Sequence, residues 1–145
     1  MNNNEIIGVL YALPEEIILR FLNSEKTVFL KYTAHKLSKK SKYKIAKGHK
    51  LYFYASRSNK QVMGEANIIS VQFLTKDEIV KFGKKVMLSP LELDKYAEGR
   101  ENKEAIVLSL DKIHKYQKVK KVRNPVTMGG IYVTKSNKKS IFIGK

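Results

Sequence analysis

The sequence predicts a single α+β domain, a small and partly closed β-barrel with helices at its ends. Several short apolar or alternating runs have strand character, and three segments have helix-start signals. The 145 residues, 43% of them hydrophobic, suffice for one buried core. We expect about five to seven strands and two to three short helices. The domain should span residues 1–145, with residues 135–145 as a less regular tail.

The N-terminal third alternates strand and helix signals. Ile6–Leu13 is apolar enough for a buried strand, and Lys26–Thr33 has β-branched and aromatic character. Between them, Pro14–Asn23 has a proline and two glutamates at its start and an apolar stripe, which predicts an amphipathic helix. Ala34–Lys47 is rich in lysine and poor in large apolar residues, so we expect a solvated loop.

A β-hairpin follows this loop. Apolar and tyrosine side chains alternate along Lys50–Ser56, and a polar stretch separates this run from a second apolar run, Gln61–Leu74. In the second run, Gly64 and Ala66 are small enough for close approach of another backbone or a ligand.

Two capping boxes mark short helices in the next segment. Thr75 with Glu78 starts a helix that should end at Gly83. Ser89 with Glu92 starts another, with proline in its first turn.

The C-terminal third contains strand signals. Ala105–Leu110 is a nearly continuous apolar strand, and the basic run Ile113–Arg123 suits a separate edge strand protected by its lysines. Ile131–Thr134 and Ile141–Ile143 should be short strands around a polar turn, Lys135–Ser140.

The charge of the chain points to a nucleic-acid partner. Twenty-nine basic residues against 13 acidic ones give a formal net charge of +16. From Lys26 to Gly64 there are eleven Lys or Arg residues and no Asp or Glu. A lysine-rich surface kept for solubility or for ion-pair networks is the alternative, but the lysines here lack matching glutamates. We therefore favour nucleic acid as the partner.

Other classes of function have little support. Without cysteine there is no disulfide or thiolate chemistry, and the three histidines lack metal-site spacing, so we expect no metal and no cofactor. The N-terminus has no signal-peptide pattern, and no apolar run approaches the roughly 20 residues needed to cross a bilayer. We expect a cytoplasmic protein without a membrane partner. The sequence does not decide whether it is a monomer or a dimer.

The candidate nucleic-acid contacts are mostly cations of the first basic region. Tyr54 would stack on a base, although strand tyrosines are more often core residues. Arg57 would bind a phosphate or base edge, or is an exposed turn arginine. The second basic run either extends this surface or only protects an edge. The full set is Lys26, Lys31, Lys36, Lys39, Lys40, Lys42, Lys44, Tyr54, Ser56, Arg57, Lys60 and Arg123.

Catalysis has one weak candidate set. The sequence has no nucleophile elbow, phosphate-binding glycine loop or Walker lysine. Lys26, Thr27 and Glu65 would serve as nucleophile and base only if the fold brings them together. A lysine oriented towards phosphate is the simpler interpretation.

The order strand, helix, lysine-bearing strand, basic loop and GHKLYFYASR…MGEANI resembles the ASCH domain of the PUA-like superfamily, in particular an archaeal branch. The family motif Gly-x-Lys-x-x-Glu-x-Arg aligns with residues 24–31. Lys26 keeps the motif lysine and Lys31 the charge of the arginine, whereas Ser24 replaces the glycine and Phe29 the acidic residue.

This resemblance implies that RNA or a modified nucleotide binds in a cleft between the barrel and its helices. One ASCH branch hydrolyses an N-acetylated cytidine with a Lys, a Thr and a Glu. Phe29 stands in the place of that Thr, and Glu65 aligns loosely with the Glu. The resemblance therefore implies binding. A small hydrolase of an N-acylated nucleoside and a protein-interaction module of an RNA–protein assembly are the two alternatives to this function.

Overall fold

The fold is a mixed, strongly bent β-sheet with helices packed against it, described by a computed structural model for residues 5–24, 27–32, 45–56, 60–100, 103–124, 126 and 130–143. The strands are β1 (Ile6–Leu13), β2 (Thr27–Tyr32), β3 (Lys50–Ala55), β4 (Gln61–Leu74), β5 (Ala105–Val122), β6 (Ile131–Thr134) and β7 (Phe142–Ile143). The α-helices are α1 (Glu15–Leu22), α2 (Lys76–Ile79), α3 (Pro90–Ala97) and α4 (Lys138–Ile141).

The strands pair in the order β2-β5-β4-β3-β1-β6, and β7 adds to the far end of β5. The β1–β3 pair is parallel and the other pairs are antiparallel. Three register shifts interrupt the β4–β5 ladder, and such bulges bend and twist a sheet. The α+β class is confirmed, and so are the expected number of strands and the predicted hairpin.

Aromatic side chains connect β1 to β2, two strands that do not pair with each other in the hydrogen-bonded order of the described strands. The Tyr11 ring on β1 stacks on the Phe29 ring on β2, with ring centroids 5.3 Å apart. Phe21 on α1 packs against Phe29 from the helix side at 6.0 Å. Among the described strands, β2 and β6 are the two edges of the sheet and no ladder joins them, so the sheet encloses a core without closing into a full barrel.

Three buried clusters follow from the alternation of side chains along the strands. The first lies inside the bend and includes Phe29, Phe53 and Leu108. The second, on the opposite face of β1 and β3, includes Leu10, Tyr52 and Tyr54.

The third cluster joins β2 and β5 to the helical segment, through residues such as Leu30, Ile79 and Leu93. Neighbouring residues of β2 therefore face different clusters, with Phe29 in the first and Leu30 in the third.

Helix boundaries follow the predicted caps closely. Helix α1 begins one residue after Pro14, and the Ser89 hydroxyl accepts a hydrogen bond from the Glu92 N–H at the start of α3. The predicted helix from Thr75 to Gly83 is α-helical only to Ile79 and continues as a 3₁₀ segment, Val80–Val86, with a kink where Gly83 has a positive φ. Within the described residues, no helix has the length and apolar character needed to cross a membrane.

Two boundary predictions are wrong. Ile113–Arg123 is not a separate edge strand, because it continues Ala105–Leu110 as one strand of 18 residues. The chain absorbs the polar break between them in bulges, with Lys112 at a positive φ. The predicted polar turn at Lys135–Ser140 is a turn only to Asn137 and then becomes the single helical turn α4.

Candidate nucleic-acid interface

A cavity of about 220 Å³ lies between β1, β2, α1 and the segment that leads into α3. Apart from Lys31 and Tyr96, the described residues that line it have apolar side chains. The lining residues are Ala12, Leu13, Pro14, Ile17, Phe21, Phe29, Leu30, Lys31, Val86, Leu88 and Tyr96. The cavity therefore lies between the sheet and the helices that pack on it.

The Lys31 ammonium is the charged group of this cavity. Its Nζ lies 5.4 Å from the centroid of the Tyr11 ring, a cation–π contact. Burial lowers the pKa of Lys31 below its ordinary value, because the charged form loses hydration. Among the residues that the structure describes, no carboxylate forms an ion pair with it. Lys31 therefore offers a positive charge and hydrogen-bond donors to an anion that enters the cavity.

Tyr96 is the other polar residue of the cavity lining, and its side chain carries a hydroxyl. This hydroxyl accepts a hydrogen bond from the Tyr32 backbone N–H at 3.0 Å, which leaves its own hydrogen able to donate. Arg100 approaches from the next turn, with its guanidinium 5.7 Å from the Tyr96 ring centroid and one N–H donating to the Tyr96 carbonyl at 2.6 Å. The polar groups of the cavity are therefore hydrogen-bond donors that suit an acceptor-rich or anionic ligand.

An ion pair fixes the helical wall of the cavity. The Arg20 guanidinium on α1 binds both carboxylate oxygens of Glu92 on α3, at 2.6 and 2.9 Å, and donates to the Met87 carbonyl at 2.9 Å. Hydrogen bonds from Arg20 and from the Ser89 backbone lower the pKa of Glu92 to about 2. This bidentate contact sets the distance between the two helices that border the cavity.

Apart from Tyr54, the predicted binding residues fall into three groups. Lys26, Lys36, Lys39, Lys40, Lys42, Lys44 and Arg57 lie outside the described residues. Lys31 lines the cavity, and the Ser56 backbone N–H donates to the carbonyl of the cavity-lining Leu13 at 2.8 Å. Lys60 lies at the end of the hairpin, where its carbonyl accepts from the N–H of Val122, the residue before Arg123, at 2.9 Å.

Tyr54 does not offer an open face for stacking. Its side chain is only 4% exposed and lies in the second cluster together with Tyr52. Burial at this position agrees with the alternative that strand tyrosines are core residues. Tyr11 and Tyr96 instead border the cavity region, and their position depends on contacts between distant strands and helices that no local sequence signal predicts.

The catalytic candidates that the structure describes do not come together. Thr27 pairs with Leu110 on β5, whereas Glu65 pairs with His114, four residues further along that strand, or about 13 Å at strand spacing. Thr27 is buried, and its hydroxyl has no hydrogen-bond partner within the described residues. Lys26 lies outside the described residues.

The carboxylate of Glu65 is held by neighbouring side chains. It accepts hydrogen bonds from the Lys50 ammonium at 2.6 Å and from the Tyr116 hydroxyl at 2.8 Å. Burial alone would raise the pKa of Glu65, but these two donors bring it below its ordinary value. Glu65 therefore links β3, β4 and β5 at this point. In the part of the chain that the structure describes, no group of His, Asp or Glu side chains is suited to hold a metal ion.

Comparisons with known proteins identify the fold. The model of a family described as a domain of unknown function, DUF365, matches residues 6–135. A crystal structure of a tyrosine-to-phenylalanine mutant of an ASCH protein from Zymomonas mobilis superposes with a TM-score of 0.66 at 14% identity, covering 92% of this chain and 94% of that one.

Two further structures give the same picture. A serine-to-alanine mutant of the Zymomonas protein has a TM-score of 0.61 at 19% identity, covering 86% of this chain and 77% of that one. The N-terminal domain of Staphylothermus marinus McrB has a TM-score of 0.50 at 16% identity, covering 82% and 80%. A search of curated proteins finds no match. The predicted ASCH-type fold is confirmed, whereas membership of the PUA-like superfamily and of its archaeal branch stays a prediction.

Proposed function

The chain belongs to the DUF365 family, and from this premise and its ASCH-type fold we propose that it is a cytoplasmic RNA-binding domain. The cleft beside Lys31 would hold RNA or a modified nucleotide. The ASCH resemblance is what favours RNA over DNA, and the net charge of +16 favours a polyanion in general.

The partly buried Lys31 is the observation that carries the proposal. An ammonium group loses hydration free energy when it is buried, and a structure normally compensates this loss with a carboxylate. Lys31 has an aromatic ring beneath it and no carboxylate partner among the described residues. A phosphate that binds here would supply the missing negative charge.

The remaining walls of the cavity suit the uncharged part of a nucleotide. Phe21, Phe29 and Leu88 present apolar surface, and a nucleobase has two apolar faces. The Tyr96 hydroxyl can donate to an acceptor on the base or sugar. A nucleotide bound with its base among these side chains and its phosphate at Lys31 would satisfy both parts of the cavity.

Substitution of Lys31 by Gln tests this proposal. Labelled single-stranded RNA, duplex RNA and duplex DNA are titrated with the wild type and with Lys31→Gln. We expect saturable binding of single-stranded RNA that weakens about tenfold to a hundredfold in the variant, since one charge-assisted hydrogen bond of ~1.5–3 kcal/mol is lost.

Lys81→Gln is the matched control, because Lys81 is an exposed lysine of the 3₁₀ segment and its loss changes the net charge equally. The control should keep nearly the wild-type affinity. Weak binding to every polyanion, with Lys31→Gln and Lys81→Gln indistinguishable, would contradict a site at Lys31.

A further inference from the structure

A second basic surface lies at the edge of the sheet where the hairpin turns, and this edge, here called the rim, separates it from the cavity. The sequence after Asp111 contains ten Lys or Arg residues and no acidic residue. In the structure, five exposed or partly exposed cations gather where β4 begins and β5 ends. These residues, here called the basic corner, are Lys60, Lys121, Arg123, Lys138 and Lys139.

Backbone contacts hold the basic corner together. The Val122 N–H donates to the Lys60 carbonyl, and the Arg123 N–H donates to the Ile141 carbonyl, both at 2.9 Å. Lys121 pairs with Ile143 on β7, and α4, which carries Lys138 and Lys139, leads directly into β7. The five cations therefore come from three chain segments that meet at one place.

The rim between the cavity and the basic corner is short. Leu13 lines the cavity, and the Ser56 N–H donates to its carbonyl. Tyr54 pairs with Val62, so Ser56 and Lys60 come side by side at the end of the hairpin. From β1 through β3 and β4 to β5 there are three interstrand steps, or about 14 Å.

We infer that a single strand of RNA runs from the cavity across this rim to the basic corner, an inference that rests on the proposed function. The cavity would bind one nucleotide, and the basic corner would bind the phosphates of the nucleotides that follow it. The corner binds through charge, so it adds affinity without sequence preference. We call this path from the cavity to the basic corner the track. The inference predicts that an RNA of several nucleotides binds more tightly than a single nucleotide, because both the cavity and the basic corner then contribute to its affinity.

A length comparison separates the two ends. Wild type, Lys31→Gln and the triple variant Lys121→Gln/Arg123→Gln/Lys138→Gln are titrated with a nucleoside monophosphate and with single-stranded RNA of about twelve nucleotides. Lys31→Gln should weaken both ligands. The triple variant should weaken only the long RNA and reduce the magnitude of its log–log salt slope by about 2, since each neutralised phosphate contributes ~0.7.

The control triple variant Lys81→Gln/Lys95→Gln/Lys103→Gln removes the same charge from exposed positions away from this rim. Thermal unfolding of each variant verifies that it folds. Equal effects of the two triple variants on long RNA would overturn the track while leaving the cavity site standing. An effect of the basic corner without any effect of Lys31→Gln would overturn both the track and the proposed cleft.

Discussion

Lys31 shows how one residue acquires a functional environment from alternation along a strand. It is the second residue after Phe29, so its side chain leaves β2 on the same face as this buried ring. Near the end of the strand, this face opens towards the cavity, and the Tyr11 ring lies beneath the ammonium. The same lysine two residues earlier in the strand would be buried in the core and would carry a prohibitive cost of desolvation.

Gly64 provides a residue-scale test of the packing that supports the cavity. A Cβ at this position would lie 2.5 Å from the His114 carbonyl oxygen and 2.7 Å from Leu22 Cδ2 on α1. The backbone of β5 or the helix would have to move, so we expect Gly64→Ala to lower the free energy of unfolding by ~1–3 kcal/mol. Chemical denaturation measures this change.

Gln72→Ala is the control, because Gln72 is an exposed residue of the same strand and its substitution should change the free energy of unfolding by less than ~0.5 kcal/mol. An unchanged stability in Gly64→Ala would mean that α1 does not pack on β4 and β5 as closely as described.

At the scale of elements, the position of α1 against α3 depends on the Arg20–Glu92 ion pair. The two helices approach the cavity from different parts of the chain, and Arg20 also binds the Met87 carbonyl in the segment between the 3₁₀ helix and α3. Glu92 additionally accepts a hydrogen bond from the Ser89 N–H at 2.8 Å as part of its capping box. One carboxylate therefore serves both as a helix cap and as a link between helices.

This ion pair predicts a dependence of stability on pH. The pKa of Glu92 falls from 4.5 to about 2, so its contribution is fully present above pH 4.5 and is lost as the pH falls towards 2. Thermal unfolding of the wild type should therefore show a falling Tm over this range. In Glu92→Gln the Tm should be a few degrees lower at pH 7 and should fall less steeply below pH 4.5.

Glu98→Gln is the control, because Glu98 is an exposed glutamate just beyond the same helix. It should keep the slope of the wild type. Parallel Tm profiles for the wild type and Glu92→Gln between pH 4.5 and 2 would show that the Arg20 contact does not stabilise the folded protein.

At the scale of the whole molecule, the helices and strands were easier to predict from the sequence than the tertiary contacts between them. Capping boxes and strand alternation are local signals, so the hairpin and the starts of α2 and α3 were predictable. The length of β5 was not, because the polar pair Asp111-Lys112 resembles a loop, although bulges let the strand continue through it. The polar segment before β7 likewise gave no sign of the helical turn α4, because its residues are typical of turns.

The candidate site was predictable only in part for the same reason. Lys31 stands out by charge and by its place in the ASCH motif. Tyr96 and Leu88 lie more than fifty residues away in sequence and reach the cavity because the helical segment packs on β2. Lys60 and Arg123 were both singled out from charge, yet their meeting at one corner depends on the β4–β5 register.

The most direct test of the central claim is a methyl NMR titration of the protein with a nucleoside monophosphate. Ile17, Leu30 and Leu88 have methyl groups at the cavity, whereas Ile69 and Val119 are exposed elsewhere. We predict saturable shifts at the three cavity residues that need about tenfold to a hundredfold more nucleotide in Lys31→Gln, with Ile69 and Val119 unmoved. Shifts spread evenly over the surface, or absent from the cavity residues at saturation, would contradict a nucleotide site beside Lys31.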